Sequence, residues 1–207
     1  MFYDEEKKKD KVSIVEQKLL ECDINAINYL LKEHQGRYFI AWLFNYCKIN
    51  ATTYNIFKPK MLQNEGKRQI ALVYYSSIKN LAIKDKKLAR NFELVEQENQ
   101  RPQNIIEYLR NKLCEQRKLK EAMDYILNDK NGRWFIARLY EQCHVTLWPY
   151  NNKIDYLYKW EGERQVAFCL NKLITKFNQL QKKQLAINEY EQYKTYLSSL
   201  IDVDKEW

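Results

Sequence analysis

Two arginines and two glutamates recur at a fixed spacing and are the first candidates for chemistry in this chain. Arg37 and Arg133 each follow a glycine, and Glu65 and Glu161 each precede one. We expect each arginine to open a helix, where its guanidinium and the free backbone N–H groups would attract an anion such as phosphate. The alternative is a structural latch, in which Arg37 pairs with Glu65 and Arg133 with Glu161. We favour the latch because both partners recur together.

The adjacent pair Cys143 and His144 is the second candidate. A thiol nucleophile needs a base that is close in space, which adjacency in sequence does not supply. The matching pair earlier in the chain is Cys47 and Lys48, so the histidine is not part of the recurrent pattern. A cysteine at the end of an amphipathic helix behaves as a small core residue. We therefore predict no catalytic residue and no enzymatic activity.

Metal and cofactor sites are not indicated either. A zinc site takes about four ligands at suitable spacing, and two histidines with five scattered cysteines do not supply them. The sequence contains no glycine-rich phosphate loop, dinucleotide fingerprint or nucleophile elbow. We expect neither a metal nor a cofactor.

The elements that must position these residues recur along the chain. The segment GRYFIAWLFNYC (36–47) matches GRWFIARLYEQC (132–143), and NEGKRQIALV (64–73) matches WEGERQVAFC (160–169). Without a gap, 14 of 38 positions are identical between 36–73 and 132–169. This is the pattern of a tandem duplication of one small unit. Because glycine tolerates conformations that other residues resist, we expect turns at the four glycines, Gly36, Gly66, Gly132 and Gly162.

Composition and periodicity predict an all-α fold. Glycine and proline are scarce, and apolar residues recur at helical spacing. We expect two tandem repeats of a small helical unit packed about a pseudo-twofold axis. Residues 1–96 would form the first unit with an N-terminal arm, and 97–207 the second with a C-terminal helix. We also expect Asp23 to cap a new helix, and one long helix to run from 64 to about 88.

An aromatic-rich stretch runs from Tyr140, near the end of the first recurrent block of the second unit, to Trp160, at the start of the next. Tyrosine and tryptophan dominate protein-binding hot spots, but the same rings could pack as core beneath a loop or stack on nucleic-acid bases. All three interpretations remain open at this point. The candidate interface residues are Tyr140, Trp148, Tyr150, Tyr156, Tyr158 and Trp160.

The chain is basic, with a formal net charge of +8 and pI near 9.1. Dense lysines and arginines on predicted helices are usually solvated faces, but they can also contact a phosphate backbone without reading sequence. The candidates for nucleic-acid contact are Lys84, Lys86, Lys87, Arg90, Arg117, Lys118 and Lys120. The N-terminus has no apolar segment typical of a signal peptide, and no stretch approaches the roughly 20 apolar residues that span a bilayer. We expect reduced thiols and no membrane partner.

The recurrent motif resembles a known family. It consists of Gly-Arg, an apolar helix ending in Leu-x-x-x-Cys, a loop, and then Asn-Glu-Gly-x-Arg before a second amphipathic helix. This motif resembles the Bbp-nineteen-like domain family of tailed bacteriophages, here in two copies that cover about half of the chain. The matching residues are Gly36, Arg37, Leu43, Cys47, Asn64, Glu65, Gly66 and Arg68, then Gly132, Arg133, Leu139, Cys143, Glu161, Gly162 and Arg164. The second copy departs from the pattern at Trp160 and Glu163.

The resemblance implies a phage-encoded, non-enzymatic protein of the virion or its assembly. Its partners would be other virion proteins, and it would be assembled into the particle in the host cytoplasm. One alternative is a protein that binds double-stranded DNA during genome packaging or head assembly. Another is a small regulator that binds a host protein. The sequence does not indicate an oligomeric state.

Overall fold

The computed structural model describes residues 2–49, 56–98, 105–143 and 154–202. Within these ranges the chain forms eight helices and no strand, which confirms the all-α prediction. The helices are α1 (Phe2–Lys32), α2 (His34–Tyr46), α3 (Lys58–Lys84), α4 (Lys86–Glu98), α5 (Ile105–Asn128), α6 (Lys130–Gln142), α7 (Ile154–Lys176) and α8 (Leu180–Asp202).

Helix boundaries differ from the sequence prediction at three places. The long helix predicted from 64 begins at Lys58 instead, with Pro59 in its first turn, where proline is tolerated. Asp23 does not cap a new helix, because α1 runs through it without a break and its carboxylate accepts hydrogen bonds from another helix. The predicted long helix from 64 to about 88 is divided at Asp85. The Asp85 carboxylate accepts the backbone N–H of Lys87 at 2.8 Å, so this residue caps α4 and separates it from α3.

All four glycines lie inside helices, so the prediction that they mark turns is wrong. None has a positive φ angle. They are required instead by close backbone approach. A β-carbon at Gly36 would lie 2.7 Å from the carbonyl carbon of Leu30, and one at Gly132 would lie 2.8 Å from that of Ile126. Both distances are shorter than real β-carbon contacts allow, so α2 packs on the end of α1, and α6 on the end of α5, only through glycine.

The other two glycines bring α3 and α7 together. A β-carbon at Gly66 would lie 2.8 Å from the carbonyl carbon of Lys159, and one at Gly162 would lie 2.7 Å from that of Gln63. Near the starts of the same helices, the Lys58 ammonium pairs with Asp155 at 2.9 Å. These contacts show that α3 and α7 run in the same general direction and touch backbone to backbone.

Both predicted units contribute to one hydrophobic core. Phe39 of α2 meets Phe135 of α6 edge to face at 6.2 Å, and Tyr74 of α3 lies 4.7 Å from the Phe135 ring. The rings of Tyr29 and Tyr125 stack at 4.7 Å with an interplanar angle of 3°. Each of these two tyrosine hydroxyls donates a 3.0 Å hydrogen bond to the backbone carbonyl of the other residue. The two halves of the chain therefore meet inside the core, at Phe39, Tyr74 and Phe135, and again at its edge, where Tyr29 and Tyr125 are partly buried.

Candidate functional site

Arg133 ties three helices together at the start of α6. Its Nε and Nη2 donate to the two carboxylate oxygens of Glu189 in α8, at 2.7 and 2.9 Å. Its Nη1 reaches the carbonyls of Leu127 and Asn128 at the end of α5, at 3.3 and 3.2 Å. The Arg133 side chain is only 14% exposed. The hydrogen bonds that Arg133 donates to Glu189 raise the pKa of Arg133 despite burial, so the charge of Arg133 is satisfied internally.

The predicted latch partners differ from those observed. Among the described residues, neither Arg37 nor Arg133 pairs with Glu65 or Glu161. Arg37 donates instead to the carbonyls of Leu31 and of the residue after it, both at 3.0 Å. The reason is geometric: the starts of α2 and α6 face the ends of the preceding helices, whereas the glutamates belong to α3 and α7. The two arginines thus donate hydrogen bonds to carbonyl groups at helix ends, which have no partner within their own helix.

A polar cluster joins α1, α6 and α8. Asp23 accepts hydrogen bonds from Trp134 Nε1 at 2.8 Å and from Arg138 Nε at 3.3 Å. Arg138 Nη1 also contacts Glu141 and, at 3.2 Å, the hydroxyl of Tyr190. The same Glu141 accepts from Tyr190 and, at 2.6 Å, from Lys194. We call these six residues the Arg138 cluster.

Its pairings fix the charge state of the cluster. Burial alone would raise the pKa of Glu141, but hydrogen bonds from Lys194, Tyr190 and Arg138 hold that pKa below its ordinary value. Burial and the Glu141 hydrogen bond raise the pKa of the Tyr190 hydroxyl. Glu141 is therefore ionised and Tyr190 neutral, which suits a rigid support better than proton transfer.

None of the recurrent sequence motifs predicts this cluster. The positions 96 residues away from Asp23, Arg138, Glu141 and Tyr190 hold Leu119, Trp42, Asn45 and Leu94. The cluster therefore occurs on one side of the molecule, and the matching positions hold no charged residue. The signal that could have found it is the replacement of a tryptophan by an arginine inside an otherwise similar block.

An aromatic groove of about 530 Å³ adjoins the cluster. Trp134 packs against Tyr190 at 4.8 Å and Tyr193 at 5.5 Å, and Tyr193 continues to Tyr196 at 6.2 Å. Tyr196 is 54% exposed at the outer edge. The lining residues are Cys22, Lys130, Trp134, Ala186, Glu189, Tyr190, Gln192, Tyr193 and Tyr196. A concave surface of rings with a few polar atoms suits the side chains of a partner.

The predicted aromatic interface is only partly assembled. Tyr140 belongs to the core, at 9% exposure with the Lys183 ammonium 4.9 Å from its ring centre, so its assignment to an interface is wrong. The reason is that α6 continues through Gln142, which keeps Tyr140 on a buried helix face. Trp148 and Tyr150 lie outside the described residues. Tyr156 is exposed near the start of α7, and Tyr158 and Trp160 are half-buried there.

The seven basic candidates are all exposed, and they lie on three helices. Lys84 ends α3, three belong to α4 (Lys86, Lys87 and Arg90), and three to α5 (Arg117, Lys118 and Lys120). Arg117 pairs with Glu121 one turn away at 3.0 Å, and the Lys118 ammonium lies 5.9 Å from the Tyr38 ring centre. The other five have no such contact to another described residue and are open to solvent.

The thiols at the ends of α2 and α6 are core groups. Cys47 and Cys143 are fully buried, and burial raises the pKa of Cys143 to about 12 and that of Cys47 higher still. Neutral thiols are poor nucleophiles. His144 lies outside the described residues.

The described residues contain no group of three or more histidine, cysteine, aspartate or glutamate side chains placed to hold a metal ion. They also contain no helix with the length and apolar character to cross a membrane. Comparison of the chain with protein-family models, with curated proteins and with solved structures gives no match.

Proposed function

We propose that the chain is an internal duplication whose two halves pack about a pseudo-twofold axis. The support is a set of reciprocal contacts between positions 96 residues apart. Tyr29 and Tyr125 exchange equivalent hydrogen bonds. Gly66 approaches Lys159 as Gly162 approaches Gln63, and these four residues form two pairs in the same register. A twofold operation exchanges the members of such contacts.

We propose further that the protein is a non-enzymatic structural or assembly component of a tailed-phage particle. The phage assignment rests on the resemblance of its recurrent motif, and the binding role rests on the aromatic groove. In this proposal the α1, α6 and α8 face binds another virion protein, and the particle is where the protein resides. The assignment needs no cofactor.

The observation that carries the binding role is the asymmetry of the groove. Trp134, Tyr193 and Tyr196 line it, whereas the positions 96 residues earlier hold Tyr38, Gln97 and Gln100. Duplicated units retain the residues that pack them and diverge where their surfaces meet different neighbours. Aromatic enrichment on one copy is therefore expected of a contact surface, because large rigid rings contribute most to protein binding.

The groove is also held in shape before any partner arrives. Glu189 on its wall is fixed by two hydrogen bonds from Arg133, and Tyr190 at its base is fixed by Arg138 and Glu141. A surface that is ordered in advance loses less entropy on binding. Tyr196 is the exception, since it is half exposed and free to cover a bound side chain.

Particle association tests this proposal. Particles assembled with the wild-type chain should carry it through a density gradient, and Tyr196→Ser should reduce that occupancy at least tenfold. Ile83→Ser is the matched control, because Ile83 is an exposed apolar residue on α3, away from the groove, and its loss should leave occupancy unchanged. A wild-type chain that is absent from particles but forms a stoichiometric complex with one host protein would instead favour the regulator.

Double-stranded DNA is the second candidate partner, favoured by the open lysines at the α3–α4 junction. A phosphate-binding surface loses affinity steeply between about 50 and 200 mM salt. Labelled duplex DNA titrated over that range would show this dependence, and replacing Lys84, Lys86 and Lys87 with glutamine should weaken binding. Absence of binding at the lower salt concentration would eliminate this candidate.

A further inference from the structure

A small crevice lies where α1, α3 and α6 meet, and Trp134 lines both this crevice and the aromatic groove. Its volume is about 40 Å³. Its polar lining comes from all three helices, with Asp23 from α1, Tyr74 and Ser77 from α3, and Trp134, Arg138 and Gln142 from α6. The crevice is therefore at the junction of the two predicted units.

Two buried polar atoms of this lining lack a hydrogen-bond partner among the described residues. They are the hydroxyl of Tyr74, a residue that is 5% exposed, and the side-chain oxygen Oε1 of Gln142. Burial raises the pKa of the Tyr74 hydroxyl well above its ordinary value, so the hydroxyl retains its proton and can donate. Native proteins rarely leave such groups unsatisfied, because an unpaired buried donor or acceptor costs stability.

We propose that the crevice is an internal hydration site, in which ordered water accepts a hydrogen bond from the Tyr74 hydroxyl and donates one to Gln142 Oε1. Buried waters occupy cavities of at least 10–15 Å³ and have two to four polar partners, and this crevice meets both conditions. The nearby carboxylate of Asp23 and the guanidinium of Arg138 supply further partners.

The neighbouring charges favour water over an ion. Asp23 is balanced by Arg138, and both oxygens of its carboxylate already accept hydrogen bonds from Trp134 and Arg138. The crevice therefore presents no net charge that an ion would neutralise. A dry crevice is disfavoured too, because empty cavities in proteins are lined by apolar groups.

The matching positions on the other side of the molecule hold residues that leave no buried polar group in need of water. The residues 96 positions away from Tyr74, Asp23 and Arg138 are Leu170, Leu119 and Trp42, which are hydrocarbon-rich. Gln142 corresponds to Tyr46, whose hydroxyl is satisfied directly by the carbonyl of Gln165 at 3.1 Å. Water is thus required on one side only, where it acts as a bridge between α3 and α6.

The sign of a stability change distinguishes a hydrated crevice from a dry one. In the full chain, Tyr74→Phe should lower the melting temperature by about 2–4 °C, because it removes the hydroxyl that holds the water. If the hydroxyl were unsatisfied, the same substitution would raise the melting temperature, since it would remove an unpaired polar group. Tyr140→Phe is the matched control: the Tyr140 hydroxyl is also buried without a partner among the described residues, but it does not line the crevice.

A high-resolution crystal structure of the wild-type protein decides the question independently of any variant. We expect a density peak within hydrogen-bond distance of both Tyr74 and Gln142, and no uptake of xenon by the crevice under pressure. An empty crevice, xenon bound in it, or a rise in melting temperature for Tyr74→Phe equal to that for Tyr140→Phe would overturn the proposal.

Discussion

Replacing Gly66 with alanine tests the backbone contact between α3 and α7. The new β-carbon would lie 2.8 Å from the Lys159 carbonyl carbon and closer still to its oxygen, whereas real β-carbon contacts are essentially never below 3.0 Å. The neighbour is backbone, so it cannot rotate away and the two helices must separate. Overpacking of this kind costs about 1–3 kcal/mol, and the greater helix propensity of alanine returns about 1 kcal/mol. Taking the upper part of that range, we expect a net loss of about 2 kcal/mol.

Urea unfolding, with the midpoint compared at constant slope, measures this loss. Ser76→Ala is the matched control, because Ser76 is exposed on the same helix and its replacement should be nearly neutral. The double variant Gly66→Ala with Gly162→Ala adds a second requirement. Since both β-carbons force the same separation, the pair should cost clearly less than the sum of the single changes. If the Gly66→Ala protein is as stable as the Ser76→Ala control, or if the two glycine costs simply add, the backbones of α3 and α7 are not in the close contact described.

Three further predictions concern interior contacts. Arg133→Ala should lower the melting temperature by several degrees, because it leaves Glu189 and two helix-end carbonyls without their donor, whereas Arg90→Ala on an exposed face should not; equal shifts in the two variants would exclude this role. Burial raises the pKa of Glu163 to about 7 against the lowering effect of Lys159, so the folded state keeps a proton that the unfolded chain loses near pH 4.3. The stability that the protonated Glu163 contributes is complete below about pH 4 and is lost as the pH rises through 7. Glu163→Gln should therefore gain stability relative to wild type between pH 4.5 and 7.5. A constant difference in stability across that range would show that the Glu163 carboxyl titrates normally. Tyr29→Phe and Tyr125→Phe should each cost about 0.5–1.5 kcal/mol in urea unfolding, with similar values because the two bonds are reciprocal; one neutral and one costly variant would argue against the pseudo-twofold arrangement.

Much of the fold was predictable because helical periodicity is a local property. Apolar spacing predicts the helices around 36–47 and 132–143, the long helices that contain the second glycine of each pair, and the buried cysteines. The register of 96 residues is visible in the sequence as well. Tyr29 and Tyr125 are also 96 positions apart and contact each other, although both lie just outside the blocks that match most strongly.

The features that the sequence did not predict depend on which helices contact one another in the fold. A glycine in a sequence does not distinguish a positive φ from a close backbone contact, and only the packing of α7 on Gly66 shows the second cause. The partner of Arg133 is Glu189, a distant residue on α8 with no local signal in the sequence. The Arg138 cluster likewise joins residues more than 100 positions apart.

The most direct test of the proposed role is a photo-crosslink from the groove. The full chain would carry benzoylphenylalanine in place of Tyr196 in one sample and in place of Ile83 in the other, and each would be assembled into particles and irradiated. We expect one dominant cross-linked partner among the particle proteins from position 196 and little or none from position 83. Equal cross-linking from both positions, or cross-links from position 196 only to DNA, would contradict it.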